Sequence, residues 1–192
     1  MTKSELRKIY LEKQKSLTET ERIQFSHQIY DAFFGNFDLK NIRFLHIFLS
    51  IEKFTEIETS FIVRRIWKDF PAVETVVPRA DFQTMTLESL RFTPETKLAK
   101  NRWGIFEPTE REFVENEKID LVLVPLLCFD QNGFRVGYGK GFYDKFLSEC
   151  RSDCLKIGLS YFAPIDEISD AQTFDVKLDF CITPDRIIEF EP

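Results

Sequence analysis

Apolar positions recur along the 192-residue chain with two periods, a helical one near the start and an extended one thereafter. Leu6, Ile9, Tyr10 and Leu17 form one stripe at helical spacing, and Ile23, Ile29, Phe33 and Phe34 form another, so residues 2–35 read as helical. Thr2-Lys3-Ser4-Glu5 and Thr18-Glu19-Thr20-Glu21 both match a capping box, where a hydroxyl and a carboxylate exchange hydrogen bonds with the free amides of a helix start. Residues 43–50 then read as a buried strand, 59–70 as a helix capped by Thr59 or Ser60, and 73–78 as the next strand. Residues 87–92 suit a short hairpin strand, 155–161 another buried strand, and 179–183 and 186–190 two closing strands, with 162–178 irregular. Strand, helix and strand in alternation point to right-handed parallel βαβ units. No repeat, linker or low-complexity segment interrupts the pattern, so residues 1–192 are expected to form one domain.

The most apolar stretch is residues 119–129, short and rich in β-branched side chains, which suits a strand buried on both faces. Pro125 lacks an N–H and should end it. A loop follows with Gly133, Gly137, Gly139 and Gly141, carrying Arg135 and Lys140, and it runs into helical spacing at Phe142, Phe146 and Leu147. Glycines let backbone amides approach a ligand closely, and amides at a helix start favour an anion. With two cations in the same loop, a phosphate is the best-matched group. The spacing is neither GxxxxGK[ST] nor GxGxxG, so on spacing alone a strand-to-helix turn that needs glycine for geometry stays open.

Composition narrows the classes. Hydrophobic residues make up 43% and charged residues 30%, enough for a sizeable core under an ordinary soluble surface. A net charge of −6 argues against a general nucleic-acid binder while permitting a local basic pocket. Cys128, Cys150, Cys154 and Cys181 form no CxxC pair, so zinc is not expected and reduced thiols are. His27 reads as a helix-surface residue and His46 as a core or edge residue; neither suits a metal or triad site. No apolar run approaches a membrane span, and the first residues are too polar for a signal peptide, so the cytoplasm is the expected compartment.

Pro125-Leu126-Leu127-Cys128-Phe129-Asp130, followed by Gly133-Phe134-Arg135-Val136-Gly137-Tyr138-Gly139-Lys140-Gly141-Phe142-Tyr143-Asp144, resembles the signature of the 5-formyltetrahydrofolate cyclo-ligase family. Further motifs follow in the family's order: Lys3-x-x-x-Arg7, Phe48-Leu49-Ser50, Glu56-Ile57-Glu58-Thr59, Val77-Pro78-Arg79, Trp103-Gly104-Ile105-x-Glu107-Pro108 and Asp175-x-x-x-Asp179. The resemblance implies a three-layer α/β/α domain with a mostly parallel sheet, similar to the sugar-phosphate isomerase/CoA-transferase-like fold. It implies ATP-dependent closure of 5-formyltetrahydrofolate to 5,10-methenyltetrahydrofolate, with release of ADP and phosphate and a need for Mg²⁺. The expected partners are these small molecules, with no nucleic acid and no membrane, and the chain is expected to act as a monomer.

The resemblance also implies roles residue by residue. Arg135 and Lys140 are the catalytic cations; Lys3, Arg7, Arg135, Gly137, Tyr138, Gly139, Lys140, Gly141 and Phe142 hold ATP; Leu49, Glu56, Trp103, Tyr138 and Tyr143 hold the folate. Asp144 and Asp175 are the metal carboxylates, with Asp179 close enough to compete for the second place. From charge alone, Lys97, Lys100 and Arg102 could meet a folate's glutamate tail. Two other readings carry weight: another α/β enzyme acting on a phosphorylated sugar or coenzyme A thioester, and a binding protein that kept the pocket without catalysis.

Overall fold

Both capping boxes start helices: α1 (Lys3–Ser16) and α2 (Glu19–Asn36). In each, the glutamate carboxylate takes the threonine amide, at 2.9 Å in Thr2/Glu5 and 2.8 Å in Thr18/Glu21. The buried stripe of α1 is Leu6, Tyr10 and Gln14, each four residues from the last. Ile9, read as part of that stripe, falls off the face and is 39% exposed.

The structure is a computed structural model and describes residues 1–101 and 104–191. After α2 come β1 (Phe44–Ile47), a single 3-10 turn (Glu52–Phe54), α3 (Ser60–Asp69), and the hairpin of β2 (Glu74–Asp81) and β3 (Thr86–Phe92). A ribbon of β4 (Leu98–Lys100) and β5 (Phe106–Pro108) precedes β6 (Leu121–Pro125), and a second ribbon of β7 (Cys128–Phe129) and β8 (Arg135–Val136) precedes α4 (Phe142–Glu149). β9 (Leu155–Leu159), β10 (Phe180–Ile182) and β11 (Ile187–Glu189) complete the chain.

Seven strands form one sheet in the order β11-β10-β9-β6-β1-β2-β3. The five inner strands are parallel, and β3 and β11 close the edges antiparallel. Side chains alternate across it. Leu45, Ile47, Leu121 and Leu123 pack with Ile29 and Phe33 of α2 and Ile62 and Ile66 of α3 on one face. Val122 and Val124 pack with Phe146 and Leu147 of α4 on the other. Each such buried aliphatic chain contributes about 1.5–3 kcal/mol relative to exposure. The chain steps from β1 to β2 in one direction and from β6 to β9 in the other, and a common right hand then sends α3 and α4 to opposite faces. The result is the expected α/β/α sandwich.

Several elements differ from the sequence reading in instructive ways. β1 ends at Ile47, because the Phe48 carbonyl turns to accept the Thr59 hydroxyl at 2.6 Å. That hydroxyl is therefore diverted from α3, which has no side-chain cap although Thr59 stands at its cap position. β6 does end at Pro125, but the apolar run beyond it folds back as β7 against β8. Lys100, one of the cations singled out on charge, ends a short strand, β4. His46 is a core residue, fully buried with its ring 4.5 Å from that of Phe146, and burial pushes its pKa down to about 3.

The strand order reverses between β1 and β6, so the loops leaving their carboxyl ends diverge and open a crevice. Open α/β sheets bind ligands at such a place.

Candidate active site

The glycine loop leaves β8 at that crevice, and its entry is fixed by a buried carboxylate. Asp130 Oδ1 accepts the amides of Asn132 and Phe134, both at 3.0 Å, and Oδ2 accepts that of Ile168 at 3.1 Å. Gly133 has φ +84°, and a Cβ there would lie 3.0 Å from the Phe190 ring and 3.1 Å from the Leu178 carbonyl, so only glycine fits. Further on, Gly139, Lys140 and Gly141 have φ of 106°, 73° and 68° in succession. For Lys140 this left-handed backbone costs roughly 1–2 kcal/mol, a strain of the kind found at ligand clamps. A Cβ on Gly137 would meet no protein atom within 4 Å, and its φ is ordinary. Packing therefore does not require glycine at Gly137.

Cations and carboxylates interleave around this loop. Arg7 Nε donates to the Gly137 carbonyl at 2.9 Å, which fixes α1 against the loop. Lys3 is ion-paired with Asp175, whose Oδ2 also accepts the Gln172 amide at 2.5 Å. Arg135 lies beneath the loop with a side chain only 5% exposed; it donates to the Val176 carbonyl and, at 2.9 Å, to Asp144 Oδ1. Burial lowers its pKa, and Asp144 and Asp175 both oppose the shift. Lys140 makes no ion pair among the described residues; its ammonium sits 4.7 Å over the Phe82 ring. Asp179 pairs with Lys156 at 2.9 Å, away from the loop.

The opposite wall comes from the loop after β1. Leu49, Ile51 and Phe54 line it, with Glu56 buried behind them. Phe54 stacks on Tyr138, ring centres 5.0 Å apart and planes 28° off parallel. Burial raises the Glu56 carboxyl to about 7, against the Ile51 amide at 2.8 Å and the Tyr138 hydroxyl, which both lower it. The Tyr143 hydroxyl is buried without a hydrogen-bond partner among the described residues.

One cleft of about 1240 Å³ is lined by Lys3, Arg7, Leu49, Glu56, Arg135, residues 137–144 and Asp175. Residues scattered from 3 to 175 thus converge as the sequence suggested, while Asp179 stays apart. Trp103 and Arg102 lie outside the described residues. Sequence reasoning missed Phe54, Phe82, Phe106 and Phe174, which also line the cleft. Isolated aromatics in loops, a single turn and a three-residue strand carry no periodic signal, so little could have flagged them.

For a divalent cation, the described residues hold no cluster of three or more potential ligating side chains. Asp144 commits Oδ1 to Arg135 and Val176, and Asp175 commits Oδ2 to Lys3 and Gln172, which leaves one oxygen of each without a hydrogen-bond partner among the described residues. That set fits Mg²⁺, which takes one or two carboxylates together with nucleotide phosphates and water.

A family model described as the 5-formyltetrahydrofolate cyclo-ligase family matches residues 1–184. The chain belongs to that family. Its name denotes a ligase. The 5-formyltetrahydrofolate cyclo-ligase of Mus musculus is 31% identical over 143 residues, 71% of this chain and 68% of that protein. Its counterpart in Haemophilus influenzae is 26% identical over 179 residues, 92% of each chain. The NMR structure of Aquifex aeolicus 5,10-methenyltetrahydrofolate synthetase covers the whole chain and 94% of its own, with a TM-score of 0.82 at 27% identity. This cyclo-ligase family member has, among its described residues, no helix long and apolar enough to cross a membrane.

Proposed function

We propose that the protein closes 5-formyltetrahydrofolate to 5,10-methenyltetrahydrofolate at the expense of ATP, releasing ADP and phosphate. The observation that carries the reading is the glycine loop, whose three successive left-handed residues face a cleft with cations on one wall and a buried carboxylate among aromatics on the other. A formamide oxygen is a poor leaving group. Its attack on the γ-phosphorus breaks the bond to ADP and leaves an iminium carbon bearing a phosphate. N10 then attacks that carbon and loses its proton; the carbon–oxygen bond breaks and phosphate departs.

Positioning and charge neutralisation suffice to catalyse phosphoryl transfer. Lys140, without an ion pair among the described residues, meets the transferring phosphoryl group. Arg7 and Lys3 hold the remaining phosphates from α1, and the amides of residues 137–142 surround them. Gly137, with no packing reason to lack a side chain, gives the phosphates their close approach. Arg135, sunk beneath the loop, acts by holding Asp144 in place and adding positive potential. Asp144 and Asp175 are the residues that would hold Mg²⁺, which would supply neutralisation of phosphate charge. On the other wall Leu49, Tyr138 and Tyr143 flank the folate, and Glu56 accepts from the pterin N–H groups. All these groups come from one chain, so a monomer is competent, and four free cysteines suit the cytoplasm.

The test is absorbance of the methenyl product from purified protein and 5-formyltetrahydrofolate, with and without ATP and Mg²⁺. Product only with both present supports the reading; product without ATP, or none at all, sinks it.

A further inference from the structure

Gln14 has no place in the reaction above, yet it is the polar residue in the buried stripe of α1 and is 2% exposed. Its amide lies 2.6 Å from the Phe54 carbonyl oxygen. A carbonyl only accepts, so the group facing it is the NH₂ of the side chain. The same Nε2 lies 2.9 Å from the Tyr138 hydroxyl. An amide nitrogen does not accept, so the Tyr138 oxygen does, and its own proton must go elsewhere. Stacking on Phe54 keeps the Tyr138 ring from swinging away. The hydroxyl also faces Glu56, whose Oε2 already takes the Ile51 amide. Among the described residues, the titratable groups facing Glu56 are the hydroxyls of Tyr138 in the glycine loop, Tyr143 of α4 and Tyr161 just past β9.

We propose that Gln14 is a positioning residue for the reduced folate: by donating to both Phe54 and Tyr138 it commits the Tyr138 proton to Glu56 and presents Glu56 as an anionic acceptor. The folate part of this rests on the cyclo-ligase reading. The arrangement gives α1 two tasks. Arg7 holds the glycine loop and Gln14, seven residues and about 10 Å further along the same rigid helix, holds the folate wall.

The relay is read without substrate by a carboxyl-carbon NMR titration of the ligand-free protein, with Glu56→Gln identifying the resonance. Gln14→Met, similar in length but unable to donate, is expected to raise the Glu56 midpoint by about one pH unit. Tyr138→Phe is expected to raise it as much, and adding Gln14→Met to Tyr138→Phe to move it no further. An unchanged midpoint in Gln14→Met or in Tyr138→Phe, or full additivity in the double variant, overturns the proposal; should Gln14→Met fail to fold, Tyr138→Phe alone still decides. In turnover, Gln14→Met is expected to raise KM for 5-formyltetrahydrofolate about tenfold, matching one pH unit, with KM for ATP unchanged. Equal rises in both KM values would mean that Gln14 only seats the helix and would overturn its positioning role. A wild-type protein inert towards 5-formyltetrahydrofolate would overturn the folate part, and the titration would still decide the relay.

Discussion

On the glycine-loop side of the cleft Asp144 faces Arg135 and Asp175 faces Lys3, so each negative charge has a fixed counter-charge. On the β1-loop side Glu56 is buried with one backbone amide and a ring of tyrosines, and its pKa is pushed up to about 7. One wall is prepared for a polyanion and neutralises its own carboxylates meanwhile. The other holds a carboxylate in a poor environment, which only a ligand bearing N–H donors improves. On the proposed reading, the contrast teaches how a site can bind two dissimilar substrates side by side: the charged one meets satisfied ion pairs, and the heterocycle meets a carboxylate that burial disfavours as an anion.

The sharpest way to break this contrast is to remove a counter-charge. Asp144→Ala leaves Arg135 buried and unpaired, and should cost about 3–5 kcal/mol of stability, read as a lower urea midpoint. Lys140→Ala should lower kcat roughly 10²–10³-fold, equivalent to about 3–4 kcal/mol, because the cation acts on charge that develops in transfer. The fold should survive it, since Lys140 makes no ion pair among the described residues and its ammonium rests on the Phe82 ring.

Glu56→Gln probes the other wall and should have the opposite effect on stability. Between pH 4.5 and about 7 the unfolded chain releases the Glu56 proton while the folded chain keeps it. Stability is thus lost as pH rises through that window, by roughly 3 kcal/mol in all. Glu56→Gln should raise Tm at pH 8 and do little at pH 4.5, while raising KM for the folate. Equal Tm gains at both pH values would count against this account of Glu56. The smallest effect belongs to Gly137→Ala, which should change stability by less than about 0.5 kcal/mol yet raise KM for ATP. A large drop in Tm would show that packing, and not the nucleotide, requires that glycine.

Much of the scaffold was legible because its signals are local. The capping boxes of Thr2/Glu5 and Thr18/Glu21 span three residues each, and Pro125 ends β6 by its own chemistry. The convergence of Lys3, Arg7, Glu56 and Asp175 on the glycine loop was legible through family resemblance; periodicity does not bring residues so far apart together. What escaped depends on long-range competition. The Thr59 hydroxyl could cap α3 or bind the Phe48 carbonyl, and only the packed structure decides. The pairing of Arg135 with Asp144 likewise requires the loop's fold to be known. Gln14 carries no local signal, because its partners are 40 and 124 residues away.

α4 begins at Gly141 with no side chain to cap it, and its first well-formed backbone bond runs from the Lys145 amide to the Gly141 carbonyl at 3.2 Å. No helix can satisfy the amides of its opening turn internally. With φ of 68° at Gly141, a serine or aspartate cap there would be strained. On the proposed reading the helix is finished from outside, with the nucleotide as its cap. Amide hydrogen exchange at residues 142–144 should slow on nucleotide binding well before any change reaches the sheet, making this helix start a local gauge of cosubstrate occupancy.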